Sequence, residues 1–273
     1  MHCRQIDAAK GGTLSLGLSY VSERPSKALA EAYARRSEHT MELVVHKAHT
    51  LFPSHIIGSS TYEEISEHCK SLSSSFIDVS FPPLSPSLYS GALLYDGRMS
   101  DSLLDEAINA PAAWRRPTDF MKDKSGIMLF EGIIEPNDIK QGLLGDCWLM
   151  CAISSIAEFP ALVEKLFISK ETSPVGMYQL RLCKNGLWTT IVLDDYFPCY
   201  PDEGPLYSRA HGEELWVLLL EKAFAKVHGS YSLLKSGFPF EAMMDLTGAP
   251  FREVRLMYDC LLATYTRLIC IKG

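Results

Sequence analysis

Between Trp216 and Val227 the apolar residues Trp216, Leu219, Leu220, Ala223, Phe224 and Val227 recur at i, i+3, i+4, i+7, i+8 and i+11, the spacing of one face of an α-helix. The pattern predicts an amphipathic helix from about Gly212, ended by His228-Gly229. Glu221 lies off that stripe, where a carboxylate is ordinarily solvated. A period of two precedes it: Tyr178-Gln-Leu-Arg-Leu alternates as a half-buried strand does. Asn185-Gly186 then supplies a two-residue hairpin turn, and Leu187 to Leu193 the return strand. Further upstream, Cys147 to about Ala157 contains neither Gly nor Pro and reads as a buried helix.

Toward the N-terminus the signals are helical. Ser26 is placed to cap a helix reaching roughly Leu51, with Ala28, Leu29, Ala32, Leu43, Val44 and Ala48 compatible with its buried stripe. Four histidines fall in or just after it (His39, His46, His49, His55); without regularly spaced Cys or carboxylate partners they read as a solvated face, not a metal site. A second helix runs from Thr61 to about Leu72, opened by the capping-box pair Thr61 and Glu64. Ser73 to Ser90 is loop or linker by composition, and residues 1–25 are weakly patterned. Helices, then a hairpin, then a helix, with no internal repeat, define an α+β fold class.

Composition narrows the function. With 47% hydrophobic and 22% charged residues over 273 positions, the chain has the balance of a soluble globular protein. A net charge of −7 disfavours nucleic acid as the main partner. No apolar run reaches the ~18–20 residues of a membrane span. The N-terminus lacks a secretory pattern, and His2 excludes N-myristoylation. Eight cysteines without repeating spacing suggest free thiols in a reducing compartment, and hence a cytoplasmic protein.

The chemistry concentrates in Gln141-Gly-Leu-Leu-Gly-Asp-Cys147-Trp148. Its two glycines permit a tight loop and close approach of a substrate backbone. Cys147 then opens an apolar helix, at the positive end of the macrodipole, where an attacking thiolate is stabilised. Acyl transfer also needs donors aimed at the developing oxyanion. The amide N–H of Cys147 and the side-chain amide of Gln141 are candidates. The competing reading, that Cys147 is a buried core thiol like Cys151, leaves the preceding Gln-Gly…Gly loop without a purpose.

At these residues the chain resembles the calpains, papain-like intracellular cysteine proteases usually controlled by calcium. Gln-Gly-x-Leu-Gly-Asp-Cys-Trp-Leu is that family's nucleophile motif. The likeness extends over roughly residues 61–250: Tyr62 to Pro83, Trp114-Arg-Arg-Pro-Thr, Val192-Leu-Asp-Asp195, Leu219 to Tyr231, and Glu241 to Gly248. The resemblance implies a first catalytic lobe at 61–250, with Cys147 as nucleophile and Gln141 as oxyanion donor. Residues 1–60 are then a partly helical N-terminal extension and 251–273 a tail without a match. It also implies calcium as the cofactor, through Asp138 and Glu221, although Glu131-Gly-Ile-Ile-Glu-Pro-Asn137 departs from the family's loop.

Papain-like enzymes supply His and Asn ~130–150 residues after the Cys, which falls beyond residue 273. His228 at a helix C-terminus and His211 in a polar turn read as structural. Two functions are therefore expected as alternatives: a calpain-like endopeptidase acting on protein substrates but inactive as this chain, or a non-catalytic calpain-like module that binds protein partners. An isolated lobe should also expose the surface that meets its second lobe, with Trp148 a candidate for that surface or else for the core.

Overall fold

Asn185 and Gly186 both adopt left-handed backbone, at φ 53° and 78°, which the mirror-image hairpin turn requires. They join β2 (Met177–Lys184) to β3 (Leu187–Asp194), paired antiparallel from Lys184 with Leu187 out to Met177 with Asp194. A second two-stranded sheet joins β1 (Ala113–Arg115) to β4 (Phe197–Cys199), Trp114 facing Pro198. The computed structural model describes residues 27–51, 61–89, 112–124, 126–200, 203–210 and 212–251. The expectations for Ser26, His55, His211 and the tail beyond Phe251 lie outside them.

Six helices of more than one turn surround the sheets among the described residues. They are α1 (Lys27–Leu51), α2 (Tyr62–Ser71), α3 (Cys147–Ala157), α4 (Pro160–Leu166), α5 (Trp216–His228) and α6 (Pro239–Thr247). The capping box at Thr61 forms as the sequence implies, with the Glu64 carboxylate accepting the Thr61 N–H at 2.8 Å. Helix α1 buries Met41, Val45 and Ala48, not Leu43, which is 60% exposed. Of the predicted stripe Ala48 is buried and Val44 is partly buried against the core, while Met41 and Val45 join them and Leu43 does not. His39, His46 and His49 are exposed. Met41 joins the main core, and the Glu38 carboxylate accepts the Ser85 N–H at 2.8 Å. The helical part of the N-terminal extension is thus packed on the lobe.

Helix α5 is the axis of the main core. Every residue from Trp216 to Ala225 is buried, Glu221 and Lys222 included, so its apolar character extends all round. The expectation that Glu221 is solvated fails for this reason: the off-stripe positions Val217 and Leu218 are apolar too. Two charges from this helix are answered by an internal ion network. Lys222 Nζ reaches Asp194 Oδ1 at 2.5 Å and the Tyr196 carbonyl at 2.6 Å, and Lys226 Nζ reaches Asp78 Oδ2 at 2.6 Å. Asp194 in turn accepts the Asp78 N–H at 2.7 Å. The network ties residues 78–80, the end of β3 and α5 into one unit.

No single helix among the described residues is long and apolar enough to cross a membrane. Helices α3 and α4 have the apolar length only when taken together, and they are bent by 117°.

Candidate active site

Lys140 and Arg209 exchange backbone hydrogen bonds of 2.9 and 2.8 Å, and the Leu143 N–H reaches the Leu206 carbonyl at 3.1 Å. Residues 140–143 are thereby laced to 206–209. Gly142 is required by this lacing, since a Cβ there would lie 1.7 Å from the Tyr207 carbonyl oxygen. The loop ends at Asp146, whose carbonyl accepts the N–H groups of Leu149 and Met150 at 2.8 and 3.1 Å and so starts α3. Cys147 is the first helical residue, and its side chain is exposed.

Asp is among the best N-cap residues because its carboxylate accepts the first free helical N–H groups. Here Asp146 makes no side-chain cap bond. Its side chain is buried instead, and the first amides of α3 carry no side-chain cap. The Gln141 amide nitrogen donates to the Leu144 carbonyl at 2.9 Å and, more weakly, to Asp146 Oδ1 at 3.4 Å. Trp148 is 6% exposed, donates from Nε1 to the Leu234 carbonyl at 2.7 Å, and lies so close on Gly237 that a Cβ there would be 2.6 Å from the ring. Trp148 is therefore core behind Cys147, not part of an exposed face.

His228 is held on both ring nitrogens. Nδ1 lies 2.8 Å from the Phe224 carbonyl and Nε2 lies 3.4 Å from Lys184 Nζ, while the ring stacks on Phe224. The consistent tautomer donates from Nδ1 and accepts at Nε2, so neither nitrogen is left to take a proton from Cys147.

The two carboxylates joined in the calcium expectation have different surroundings. Asp138 closes a 3-10 turn, where its Oδ2 accepts the Glu135 N–H at 2.8 Å. It acts electrostatically on Glu214, which burial, Asp138 and Glu131 together push up to about 7. Glu221 is 3% exposed, and its carboxylate accepts from the Ser208 N–H at 3.1 Å and the Ser208 hydroxyl at 2.7 Å. Its carboxylate neighbour is Asp146. Asp138 and Glu221 thus have different hydrogen-bond partners, Glu135 for the first and Ser208 for the second. Among the described residues no three His, Cys, Asp or Glu side chains gather to hold a metal.

Sequence reasoning missed the environments of Asp146, Ser208 and Glu214. The available signal was the apolar run on both sides of Glu221, which leaves that side chain no path to water.

The model of the calpain family cysteine proteases matches residues 76–269. The match runs past the boundary at 250 set from the sequence and into the stretch read there as unmatched. The chain is 36% identical over 183 residues to the calpain-type cysteine protease ADL1 of Oryza sativa subsp. japonica, covering 66% of this chain and 8% of that protein. It is 36% identical over 185 residues to the calpain-type cysteine protease DEK1 of Arabidopsis thaliana, with the same coverages. To the calpain-1 catalytic subunit of Sus scrofa it is 34% identical over 190 residues, 68% of this chain and 25% of that one. The chain thus spans a quarter or less of the length of these relatives. The nucleophile loop, the helix it opens and the hairpin behind it all fall within the matched region, and the chain belongs to the calpain family of cysteine proteases.

Proposed function

We propose that this chain carries the nucleophile side of a calpain-type cysteine endopeptidase. Cys147 attacks a peptide carbonyl, and the developing oxyanion is received by the Cys147 amide and by the Gln141 amide released from Asp146. The observation that carries the reading is an exposed thiol on the first turn of a helix whose leading amides lack a side-chain cap. Its substrates are proteins, as the family implies. The described cysteines, Cys69, Cys147, Cys151, Cys183 and Cys199, are all free thiols, which supports a reducing, intracellular setting.

The histidines of the described residues do not complete the site: His228 is committed to Phe224 and Lys184, and His39, His46 and His49 lie exposed on α1. Turnover by the purified chain is accordingly expected to stay at the residual ~10³–10⁴-fold over water that oxyanion donors and binding alone supply. The test is a casein digest with and without calcium beside iodoacetamide labelling mapped by mass spectrometry. The reading expects Cys147 to label faster than Cys151, with little cleavage. Equal labelling of the two thiols would remove Cys147 as nucleophile, and calcium-dependent cleavage abolished by Cys147→Ala would show that the base is present.

A further inference from the structure

Two thiols sit side by side on the outer edge of α3. Most of this helix faces inward: Trp148, Leu149, Met150, Ala152, Ile153 and Ile156 are all buried. Its exposed positions are Cys147, Cys151 and Ser155, which recur at i, i+4 and i+8 and so form one narrow stripe. Cysteine is among the residues most often found inside proteins. The other described cysteines, Cys69, Cys183 and Cys199, follow that rule. The two that break it are neighbours on one face, a single turn apart.

We propose that Cys147 and Cys151 together bind a thiophilic divalent ion of the Zn²⁺ type, and that the ion, held across this one turn, reversibly masks Cys147. Residues four apart on a helix bring their Cβ atoms to about 5–6 Å. That is the spacing at which helical side-chain pairs chelate zinc, as the two histidines of an H-E-x-x-H helix do. Zn–S bonds of about 2.3 Å in tetrahedral geometry put the two sulfurs about 3.8 Å apart, which thiols leaning toward each other across one turn can reach. A disulfide instead needs Cβ atoms about 3.5–4.5 Å apart, closer than an intact turn brings them. Geometry therefore favours chelation over oxidation for this pair.

Binding exchanges two S–H protons, released to solvent, for two metal–sulfur bonds, and no electrons are transferred. Thiolate ligands select a soft ion, whereas Ca²⁺ and Mg²⁺ require oxygen. Asp146, next to Cys147, is buried and does not reach this face. Among the described residues no third His, Cys, Asp or Glu joins the pair. Water completes the coordination, which leaves the ion exchangeable. A sulfur bonded to the ion is withdrawn from attack on a carbonyl. Cys151 is thus a regulatory ligand and takes no part in the chemistry. That consequence for turnover rests on the nucleophile reading given above; the chelate itself does not.

The test titrates zinc chloride into the full chain at neutral pH and follows iodoacetamide labelling of each cysteine by mass spectrometry, with circular dichroism confirming the fold. Cys147 and Cys151 should be protected together, at one half-saturating Zn²⁺ concentration. Cys151→Ser alters only an exposed side chain and should leave metal-free labelling of Cys147 unchanged. It should raise the Zn²⁺ needed to protect Cys147 by about a hundredfold, the scale of gain from joining two weak contacts into one. Cys147→Ser should do the same to protection of Cys151. Cys151→His, which offers an imidazole ligand from the same turn, should restore most of the protection.

An unchanged Zn²⁺ requirement for Cys147 in Cys151→Ser overturns the proposal, because the metal would then be held by one thiol alone. Protection of neither thiol, or of the two at clearly different concentrations, overturns it equally. If metal-free Cys147 labels no faster than Cys151 while both are still protected together, the chelate stands and it is the nucleophile reading that fails.

Discussion

Replacing Lys222 by Met should strip the lobe of a large part of its stability. The Nζ group is fully buried and makes three bonds: Asp194 Oδ1 at 2.5 Å, the Asp194 carbonyl at 3.0 Å and the Tyr196 carbonyl at 2.6 Å. Its charge also lies 5.7 Å from the Trp114 ring centre and 5.6 Å from that of Phe197. Methionine fills the same space but returns none of the bonds. The Asp194 carboxylate, itself 0% exposed, would keep only the backbone N–H groups of Asp78 and Tyr196, at 2.7 and 2.9 Å. Two neutral donors do not balance a buried charge. Breaking a buried ion pair from one side costs about 3–5 kcal/mol. For a domain of this size that corresponds to a melting temperature lower by about 6–20 °C. Thermal unfolding followed by far-ultraviolet circular dichroism measures it. Lys222→Met with Asp194→Asn should recover part of the loss, since the stranded charge is then removed. A Lys222→Met protein melting within about 2 °C of wild type would refute the reasoning, because a drop that small corresponds to about 1 kcal/mol or less.

Three further outcomes are expected. Glu214, held up to about 7 against an ordinary 4.5, keeps in the folded state a proton that the unfolded chain has already released. Its contribution to stability is therefore complete below about pH 4.5 and lost as pH rises toward 7; urea titrations should show this slope reduced in Glu214→Gln. Gly237→Ala places a Cβ 2.6 Å from the Trp148 ring, which should cost about 1–3 kcal/mol as an overpacked contact and red-shift the tryptophan fluorescence. Phe238 is 60% and Phe251 40% exposed, with Phe240 stacked between them at centroid distances of 5.2 and 4.2 Å. Light scattering should show concentration-dependent association that Phe238→Ser weakens; a monomer at high micromolar concentration for the wild type would exclude it.

The elements were legible where local physics decides them. Asn185-Gly186 admits few conformations besides the hairpin turn, Thr61 with Glu64 marks a helix start by its own hydrogen bonds, and the segment from Cys147 to Ala157 contains no residue that breaks a helix. What the sequence did not disclose depends on partners far along the chain. Which face of α1 turns inward depends on distant residues: Val45 and Ala48 share a cluster with Ile65 and Phe76, while Met41 joins the main core. The position of Glu221 became readable only once Val217 and Leu218 were seen to be inside as well. Asp146, directly ahead of Cys147, is buried and makes no side-chain cap bond, a placement that no local pattern announces. Calcium was attached to Asp138 and Glu221 by resemblance, and three dimensions give those two residues different neighbours.

The lacing of the nucleophile loop has a consequence for biosynthesis. The residues that line up Cys147 are contiguous in the chain, yet the groups that hold them come much later: Leu206 and Arg209 for the loop backbone, and the Leu234 carbonyl for Trp148, 86 residues downstream. Contacts of such separation form only after a large loop-closure entropy has been met. A nascent chain that has just released its thiol from the ribosome therefore carries the motif without the geometry. The cysteine gains its setting only when α5 and the turn after it have emerged, so its reactive group stays unassembled over that stretch of synthesis.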